Sequence, residues 1–221
     1  MPLLKQFYDI ANDPMGYAGN WKTESTAKVV GYFCSYAPEE IIWAAGALPY
    51  RILGSGATIS KADGHLQAYS CSLVRGALDD ALLGKLDFLD GTVFPHTCDS
   101  IQRLSDIWRL NTGFDLHLDL VLPVKLNTKS AESYMHAVIK KFRRDLETGL
   151  RVEITAEKLS KAIQTFNQIR TCLQRIYEIR RDHSGKVSSR DLHAIVKASM
   201  VMDRNVLSDR LSAVVDQLHT Q

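Results

Sequence analysis

Apolar runs alternate with helix-like segments over the first 127 residues of the chain. Four segments have strand character, and three of them are short and continuously apolar: residues 28–34, 48–53, 92–96 and 116–126. Runs that are apolar on both faces suit buried parallel strands better than one-sided antiparallel strands. Helical patterns lie between them, at residues 38–45, 72–83 and 99–110. This alternation predicts an α/β fold with a mainly parallel open sheet and flanking helices.

From residue 128 onward, the pattern predicts helices alone. Two long helices are expected, at residues 130–146 and 157–179. The second is the clearer because its apolar residues recur at three- and four-residue spacing. After a predicted turn, Ser188 begins a capping-box-like Ser-Ser-Arg-Asp sequence, and two shorter helices should run to about Leu218. We therefore expect an α/β domain at residues 1–127 and a helical region at residues 128–221.

The composition, 45% hydrophobic and 24% charged over 221 residues, is that of an ordinary globular protein. A formal charge of +2 is too small to indicate nucleic-acid binding, and no basic stripe is interleaved with aromatic residues. The N-terminus lacks a secretory signal, and no apolar stretch reaches the length of a membrane span. These features predict a cytoplasmic protein, in which the four cysteines are reduced thiols and not disulfides.

Three cysteines fall at predicted strand-to-helix junctions. Cys34 is the last residue of the first predicted strand, and Cys98 follows the third, directly before Asp99, which can cap the next helix. Cys71 immediately precedes the helix that begins near Ser72. In a parallel sheet such junctions gather at the carboxyl edge, and helix N-termini favour the thiolate, which is the form that binds metals. The placement predicts a soft metal site.

The residues alone leave the nature of this site open. Three converging thiolates fit iron–sulfur or zinc chemistry, and Cys34, Cys71, His96 and Cys98 form an acceptable zinc set. The alternative is three small buried hydrophobic residues, which is how most free cysteines behave. Their spacing matches neither a zinc ribbon nor a ferredoxin pattern and does not decide between these interpretations.

Three further features have structural interpretations. Cys172 lies on the apolar side of the helix at residues 157–179 and is predicted to be a core thiol. The segment Gly54-Ser-Gly56 is half of a dinucleotide fingerprint, but Ile59 replaces the third glycine, so a flexible loop is expected. The basic cluster should be a solvated helix face and not a CoA phosphate site; it consists of Lys140, Lys141, Arg143 and Arg144.

Three segments resemble the 2-hydroxyacyl-CoA dehydratase D-component family, which includes benzoyl-CoA reductase subunits. They are GYFCSYAPEEIIWAAGALPYRILG (residues 31–54), YSCSLVRGALDDALLGKLDFLDGTVFPHTCDSIQRLSDIW (residues 69–108) and TFNQIRTCLQRIYEIRR (residues 165–181). The resemblance covers most of residues 28–202, and all three junction cysteines lie in place within it.

The resemblance implies a [4Fe–4S] cluster bound by Cys34, Cys71 and Cys98. In the family, the cluster receives one electron from a separate ATP-hydrolysing activator protein and passes it to the carbonyl of a CoA thioester, which forms a ketyl radical. In the dehydratases this step allows a 2-hydroxyacyl-CoA to lose water, whereas the benzoyl-CoA reductases reduce an aromatic ring. The implied partners are a homologous second subunit, the activator and the acyl-CoA substrate.

Ser35, Glu40 and His96 lie next to the expected ligands and are the candidate catalytic residues, through hydrogen bonds to the thiolates or to a cluster-bound water. Family members carry a second α/β domain after the helices, and we expect these 221 residues to lack it. Three alternatives remain: a benzoyl-CoA reductase-type subunit, a reductase of the related double-cubane cluster type, and a structural subunit that binds zinc or no metal.

Overall fold

A computed structural model describes residues 2–56, 58–183 and 185–220. Its sheet consists of four parallel strands in the order β2-β1-β3-β4, which confirms the predicted fold class. The strands are β1 (Val29–Tyr32), β2 (Leu48–Arg51), β3 (Gly91–Pro95) and β4 (Leu116–Leu120). The helices are α1 (Lys5–Asn12), α2 (Pro14–Ser25), α3 (Glu39–Ala44), α4 (Ser72–Leu82), α5 (Asp99–Asn111), α6 (Lys129–Leu150), α7 (Ala156–Asp182), α8 (Ser189–Ser199) and α9 (Arg204–Thr220).

The central strands are buried on both faces, as their continuous apolar runs predict. Every residue of β1 and β3 is buried. Gly31 is required in β1 because a Cβ there would lie 2.8 Å from side-chain carbons of both Ile52 and Leu89. The edge strand β4 instead alternates between buried and more exposed residues. The edge of the sheet therefore carries polar side chains, Asp119 among them, that a fully buried strand would exclude.

The chain divides into two compact units, each built from its own elements. The sheet unit is Lys28–Ile154 and holds the four strands with α3 to α6. Helix α6 belongs to it because α6 packs against β4, where Gly149 leaves room for Leu116. The domain boundary predicted from the sequence, after residue 127, groups α6 with the later helices instead.

The helical unit joins the segment up to Ala27 to the segment from Thr155 onward. The predicted capping box of α8 is confirmed: Ser188 Oγ accepts from Asp191 N at 3.1 Å, and Asp191 Oδ2 accepts from Ser188 N at 3.0 Å. The turn predicted before it includes Ser184, which lies outside the described residues. Within the described chain, none of the helices has the length and apolar character that a membrane span requires.

Helices α1 and α2 belong to this unit and were not predicted. Asp13 caps α2 by accepting a hydrogen bond from Gly16 N at 2.9 Å, and Pro14 takes the first helical position. Tyr8 of α1 donates to Asp191 Oδ1 at 2.6 Å and so ties α1 to the start of α8. The Asp-Pro pair is the signal in the sequence that could have located α2.

Candidate functional site

Cys34 lies in the turn that follows β1. The prediction that it is the last residue of the strand is therefore wrong. The strand ends at Tyr32, and Cys34 adopts a left-handed backbone with φ of 60°. Such a conformation costs roughly 1–3 kcal/mol in a residue that has a Cβ, and glycine is the usual choice for it. Cys34 therefore occupies a position at which its side chain is conformationally unfavourable.

The surroundings of the Cys34 thiol favour its thiolate form. Burial raises its pKa, but this effect is outweighed by hydrogen bonds from the Thr97 side chain and the backbone N–H groups of Tyr36 and Ser35, together with the charge of Arg51. The net pKa lies below the ordinary value for cysteine. The thiol is half-buried, so it is also accessible.

Cys71 and Cys98 occupy the N-cap positions of α4 and α5. Both side chains are exposed, and neither accepts a hydrogen bond from its helix. Asp99 is the first residue of α5 and not its cap, so the predicted capping role is wrong. An N-cap is normally Ser, Thr, Asp or Asn, whose oxygen pairs with a free helix N–H. Helix stability does not explain cysteine at either position.

The sheet order brings two of these junctions side by side. Cys34 follows β1 and Cys98 follows β3, and these strands are hydrogen-bonded neighbours. Thr97, the residue before Cys98, makes the side-chain hydrogen bond to Cys34. Cys71 begins α4, which packs against α5, the helix that begins after Cys98. The three junctions therefore lie on directly connected elements of one unit.

The long loop between β2 and α4 is held by two adjacent buried aspartates of α4. Asp79 Oδ1 accepts hydrogen bonds from the backbone N–H groups of Ser60, Lys61 and Ala62 at 2.6–3.0 Å. Burial raises the pKa of Asp79, but these three N–H groups outweigh it and lower the pKa to about 2.

Asp80 accepts from the backbone N–H of Ser55 at 2.6 Å and from Lys85 Nζ at 2.8 Å. Gly54-Ser-Gly56 is thus a loop, as predicted, and its backbone is tied to α4 at Ser55. The two aspartates together fix the loop that leads into Cys71.

The donor set fits a soft metal centre by its chemistry. The cysteines of the described chain are free thiols, and three of them stand at accessible junctions. Across residues 2–56, 58–183 and 185–220, no group of three or more His, Cys, Asp or Glu side chains is arranged as a metal site. The bound metal and its ligand set stay predictions.

The three candidate catalytic residues have different surroundings. Ser35 is exposed and accepts a hydrogen bond from Arg51 Nη1 at 3.4 Å. Glu40 lies half-buried in the first turn of α3, where the helix dipole favours a carboxylate. His96 is held most firmly, since its Nε2 lies 2.8 Å from Asp119 Oδ1. Their catalytic roles stay predictions.

A polar network around Asp119 was not predicted. Ser105 Oγ donates to Asp119 Oδ1 at 2.5 Å and lies 2.8 Å from Nε2 of His117. Burial raises the pKa of Asp119, but hydrogen bonds from His117, Ser105 and His96 outweigh it and hold the pKa far below the usual range. Asp119 therefore remains ionised and fixes the orientation of the His96 ring.

A pocket of about 720 Å³ opens next to His96 in the sheet unit. Tyr36, His96 and Thr97 line one side of it, next to the two junctions that carry Cys34 and Cys98. The loop after β4 and the first half of α6 supply the other side. A volume of this size is typical of a small-molecule site.

The structure confirms that Cys172 is a core thiol and that the basic cluster lies on a solvated helix face. Cys172 is buried in α7, with Gln168 Nε2 and Ser212 Oγ at 3.7 and 3.6 Å from its sulfur. The basic cluster of α6 is engaged along its own helix: Lys141 and Arg144 pair with Asp145, and Arg143 pairs with Glu147. These side chains are a solvated helix face, as expected.

Comparison with known proteins matches residues 34–221 to the family described as 2-hydroxyglutaryl-CoA dehydratase, D-component. A benzoyl-CoA reductase subunit of Thauera aromatica is 31% identical over 205 residues, which cover 90% of this chain and 53% of the relative. Lactoyl-CoA dehydratase subunit beta of Anaerotignum propionicum is 28% identical over 217 residues, which cover 98% and 56%. The chain spans about half the length of the curated relatives it matches.

Proposed function

Because the chain belongs to the 2-hydroxyglutaryl-CoA dehydratase D-component family, we propose that it is the iron–sulfur subunit of an activator-dependent (R)-2-hydroxyacyl-CoA dehydratase. Family membership confirms the resemblance seen in the three sequence segments. Relatives named as dehydratase subunits and as a reductase subunit support an enzyme subunit of this general kind. The substrate, the cofactor and the radical chemistry belong to the proposal.

The proposal rests on the positions of the three junction cysteines, each of which is unfavourable for a cysteine on local structural grounds. Cys34 keeps a side chain in a strained left-handed turn, and Cys71 and Cys98 hold N-cap positions without capping. Each residue choice lowers local stability, and a shared ligand role gives all three a common reason. The link from Cys34 through Thr97 to Cys98 supports a single site.

We assign Cys34, Cys71 and Cys98 as the ligands of a [4Fe–4S] cluster. When bound, such a group supplies the low-potential single electron that reduces a thioester carbonyl to a ketyl radical. Acid–base catalysis alone contributes only about 10²–10⁴-fold, which is too little for removing an unactivated proton. Three protein thiolates would also leave one coordination position open, as catalytic metal sites do.

The chain's own residues would prepare the site. Arg51 and the N–H groups of Ser35 and Tyr36 stabilise negative charge on Cys34. Asp119 holds the ring of His96, which lines the pocket where a bound thioester would lie. In the proposal, Ser35 and Glu40, which follow Cys34 in the chain, would assist by hydrogen bonds to the thiolates or to a cluster-bound water.

The proposed assembly needs other proteins. Lactoyl-CoA dehydratase subunit beta and (R)-2-hydroxyglutaryl-CoA dehydratase subunit beta are named as parts of larger enzymes, which supports a homologous second subunit. An ATP-dependent activator would deliver the electron, and an acyl-CoA would be the substrate. A reducing compartment, the cytoplasm, would keep the thiols free.

Anaerobic reconstitution with iron and sulfide tests the proposal. We expect about four irons and four sulfides per chain, with visible absorbance that bleaches in air. Cys34→Ser, Cys71→Ser and Cys98→Ser should each lose most of the iron, whereas Cys172→Ala should retain it because Cys172 is a buried core thiol. Colourless protein after careful reconstitution, or equal iron in all four variants, contradicts the assignment. Iron well above four per chain indicates the double-cubane alternative.

One observation favours zinc as a second candidate. A carboxylate that holds a histidine ring, as Asp119 holds His96, is a common arrangement behind zinc ligands. The ligand set would be Cys34, Cys71, His96 and Cys98, with His96 using its other ring nitrogen. Elemental analysis that finds about one zinc per chain and no visible absorbance supports this structural role.

A further inference from the structure

We propose that the pocket lined by Tyr36, His96, Leu126, Met135 and Ile139 binds the acyl part of the substrate and selects an uncharged, apolar acyl group over a dicarboxylic one. This inference rests on the proposed function, since it assumes that the substrate is a CoA thioester. It deepens that function by naming the class of acyl group.

The position of the pocket fits a thioester that reacts beside Cys34. Tyr36 lies two residues beyond Cys34, and Thr97 hydrogen-bonds to its thiol. His96 lines the same side and is fixed by Asp119. Hydrogen-bonding groups therefore cluster at the end nearest the junction cysteines, where a polar thioester carbonyl would lie.

The opposite side of the pocket is apolar. Leu122, Pro123, Val124 and Leu126 line it from the loop after β4, and Ala131, Met135 and Ile139 line it from α6. Val124 and Leu126 are largely exposed in the chain by itself, so an apolar ligand would remove their surface from water. A hydrocarbon or aromatic acyl group would be stabilised here by its own burial.

The charges that line the pocket disfavour the free carboxylate of a dicarboxylic acyl group. Among the described residues that line it, none is lysine or arginine, and Glu132 contributes a negative charge. A carboxylate at the far end of a dicarboxylic acyl group would lose water without gaining a fixed cationic partner. His136 also lines the pocket but, unlike lysine or arginine, carries no permanent positive charge.

Methyl-labelled methionine gives a direct test on the full chain without relying on catalysis. Met135 lines the pocket, whereas Met202 is fully buried in the helical unit and reports that the fold is intact. The probes are the N-acetylcysteamine thioesters of 4-methylpentanoic acid and of glutaric acid. We expect the Met135 signal, identified by its loss in Met135→Leu, to shift with the first probe at an at least tenfold lower dissociation constant than with the second.

Two variants sharpen the test, with ligand-observed NMR as the readout. Met135→Arg should bring glutaryl binding to or above that of the branched thioester, because it supplies the missing cation. Ile139→Asp should weaken binding of the branched thioester by about tenfold or more, a change of about 1.4 kcal/mol. The matched control is Ala137→Arg, which adds the same charge at an exposed position of α6 outside the pocket lining.

The outcomes separate this proposal from the cluster assignment. Equal affinity for both thioesters, or reversal of preference by the Ala137→Arg control, overturns the selection of apolar groups. If neither thioester moves the Met135 signal, the pocket does not bind the acyl group and the proposal is wrong. Iron and sulfide content is measured separately, so a chain that discriminates between the thioesters but binds no iron refutes the cluster alone.

Discussion

Helices α4 and α5, which begin directly after Cys71 and Cys98, start differently from four other helices of the chain. Helices α2, α6, α7 and α8 start with Asp13, Thr128, Thr155 and Ser188, and each of these side chains accepts a hydrogen bond from its helix. Helices α4 and α5 start with Cys71 and Cys98, which cap nothing. Helices α1 and α3 also lack a side-chain cap, at Leu4 and Pro38, so a missing cap marks a candidate site only where the uncapped residue is itself a metal-binding type, as cysteine is at α4 and α5. Such local departures are expected at functional sites.

The largest expected effect is the near-complete loss of iron when the two kinds of cap are exchanged. Cys98→Asp places a good capping residue at the start of α5, so the metal-free chain should gain roughly 0.5–1 kcal/mol in free energy of unfolding. The same change should reduce reconstituted iron to near background. Denaturant unfolding and iron analysis on one preparation check both results.

The reciprocal exchange is its control. Thr155→Cys removes the cap of α7, where Thr155 Oγ accepts from Lys158 N at 3.2 Å, and should cost roughly 1 kcal/mol without changing iron content. If Cys98→Asp destabilises the chain as much as Thr155→Cys does, Cys98 stabilises the start of α5. Its presence there would then not indicate a metal-binding role.

The next effect concerns the loop that leads to Cys71. Asp79→Ala should lower the free energy of unfolding by roughly 3 kcal/mol, because three backbone N–H groups around a buried carboxylate lose their acceptor. Asp106→Ala serves as the control, since Asp106 is exposed on α5. Urea unfolding of both variants measures the difference, and similar midpoints for the two would show that the loop does not depend on Asp79.

The contrast between local and long-range information explains what the sequence could predict. The four strands and the helices from α3 to α9 follow from apolar spacing, because burial on one or both faces leaves a periodic record. Helix α2 left a weaker record, since Gly16 and Gly19 interrupt it and its Asp-Pro start is short. The junction cysteines could be located because strand ends and helix starts are local features.

The polar network of the site leaves no such record. Asp119 contacts His96 and Ser105, which lie on different elements, and its segment is predicted only as part of a longer strand over residues 116–126. Asp79 sits inside a helix, where an acidic residue is usually expected to be exposed. Both depend on how separate elements pack, which periodicity does not report. The pocket has the same origin, since His96 and Thr97, which follow β3, meet residues of α6 only through the fold.

A smaller effect is expected at a normal cap. Ser188→Ala removes one half of the capping box of α8 and should cost roughly 1 kcal/mol in free energy of unfolding. Ser133→Ala, at an exposed position of α6, should change stability by less than about 0.5 kcal/mol. Thermal unfolding of the two variants provides the comparison, and it also calibrates the gain expected from a new cap at position 98.

The last prediction is a dependence of stability on pH that originates at Asp79. Its folded pKa of about 2 lies below the ordinary value, so the unfolded chain binds the proton first as the pH falls. The stabilisation is present above the unfolded pKa, near 4, and decreases as the pH drops toward 2. Asp79→Asn removes the titrating group, so its unfolding free energy should fall less steeply than that of the parent chain between pH 5 and pH 3. Parallel slopes for the two proteins in urea titrations would mean that the backbone N–H groups hold an aspartate whose charge adds nothing, and the loop before Cys71 would then be fixed by shape alone.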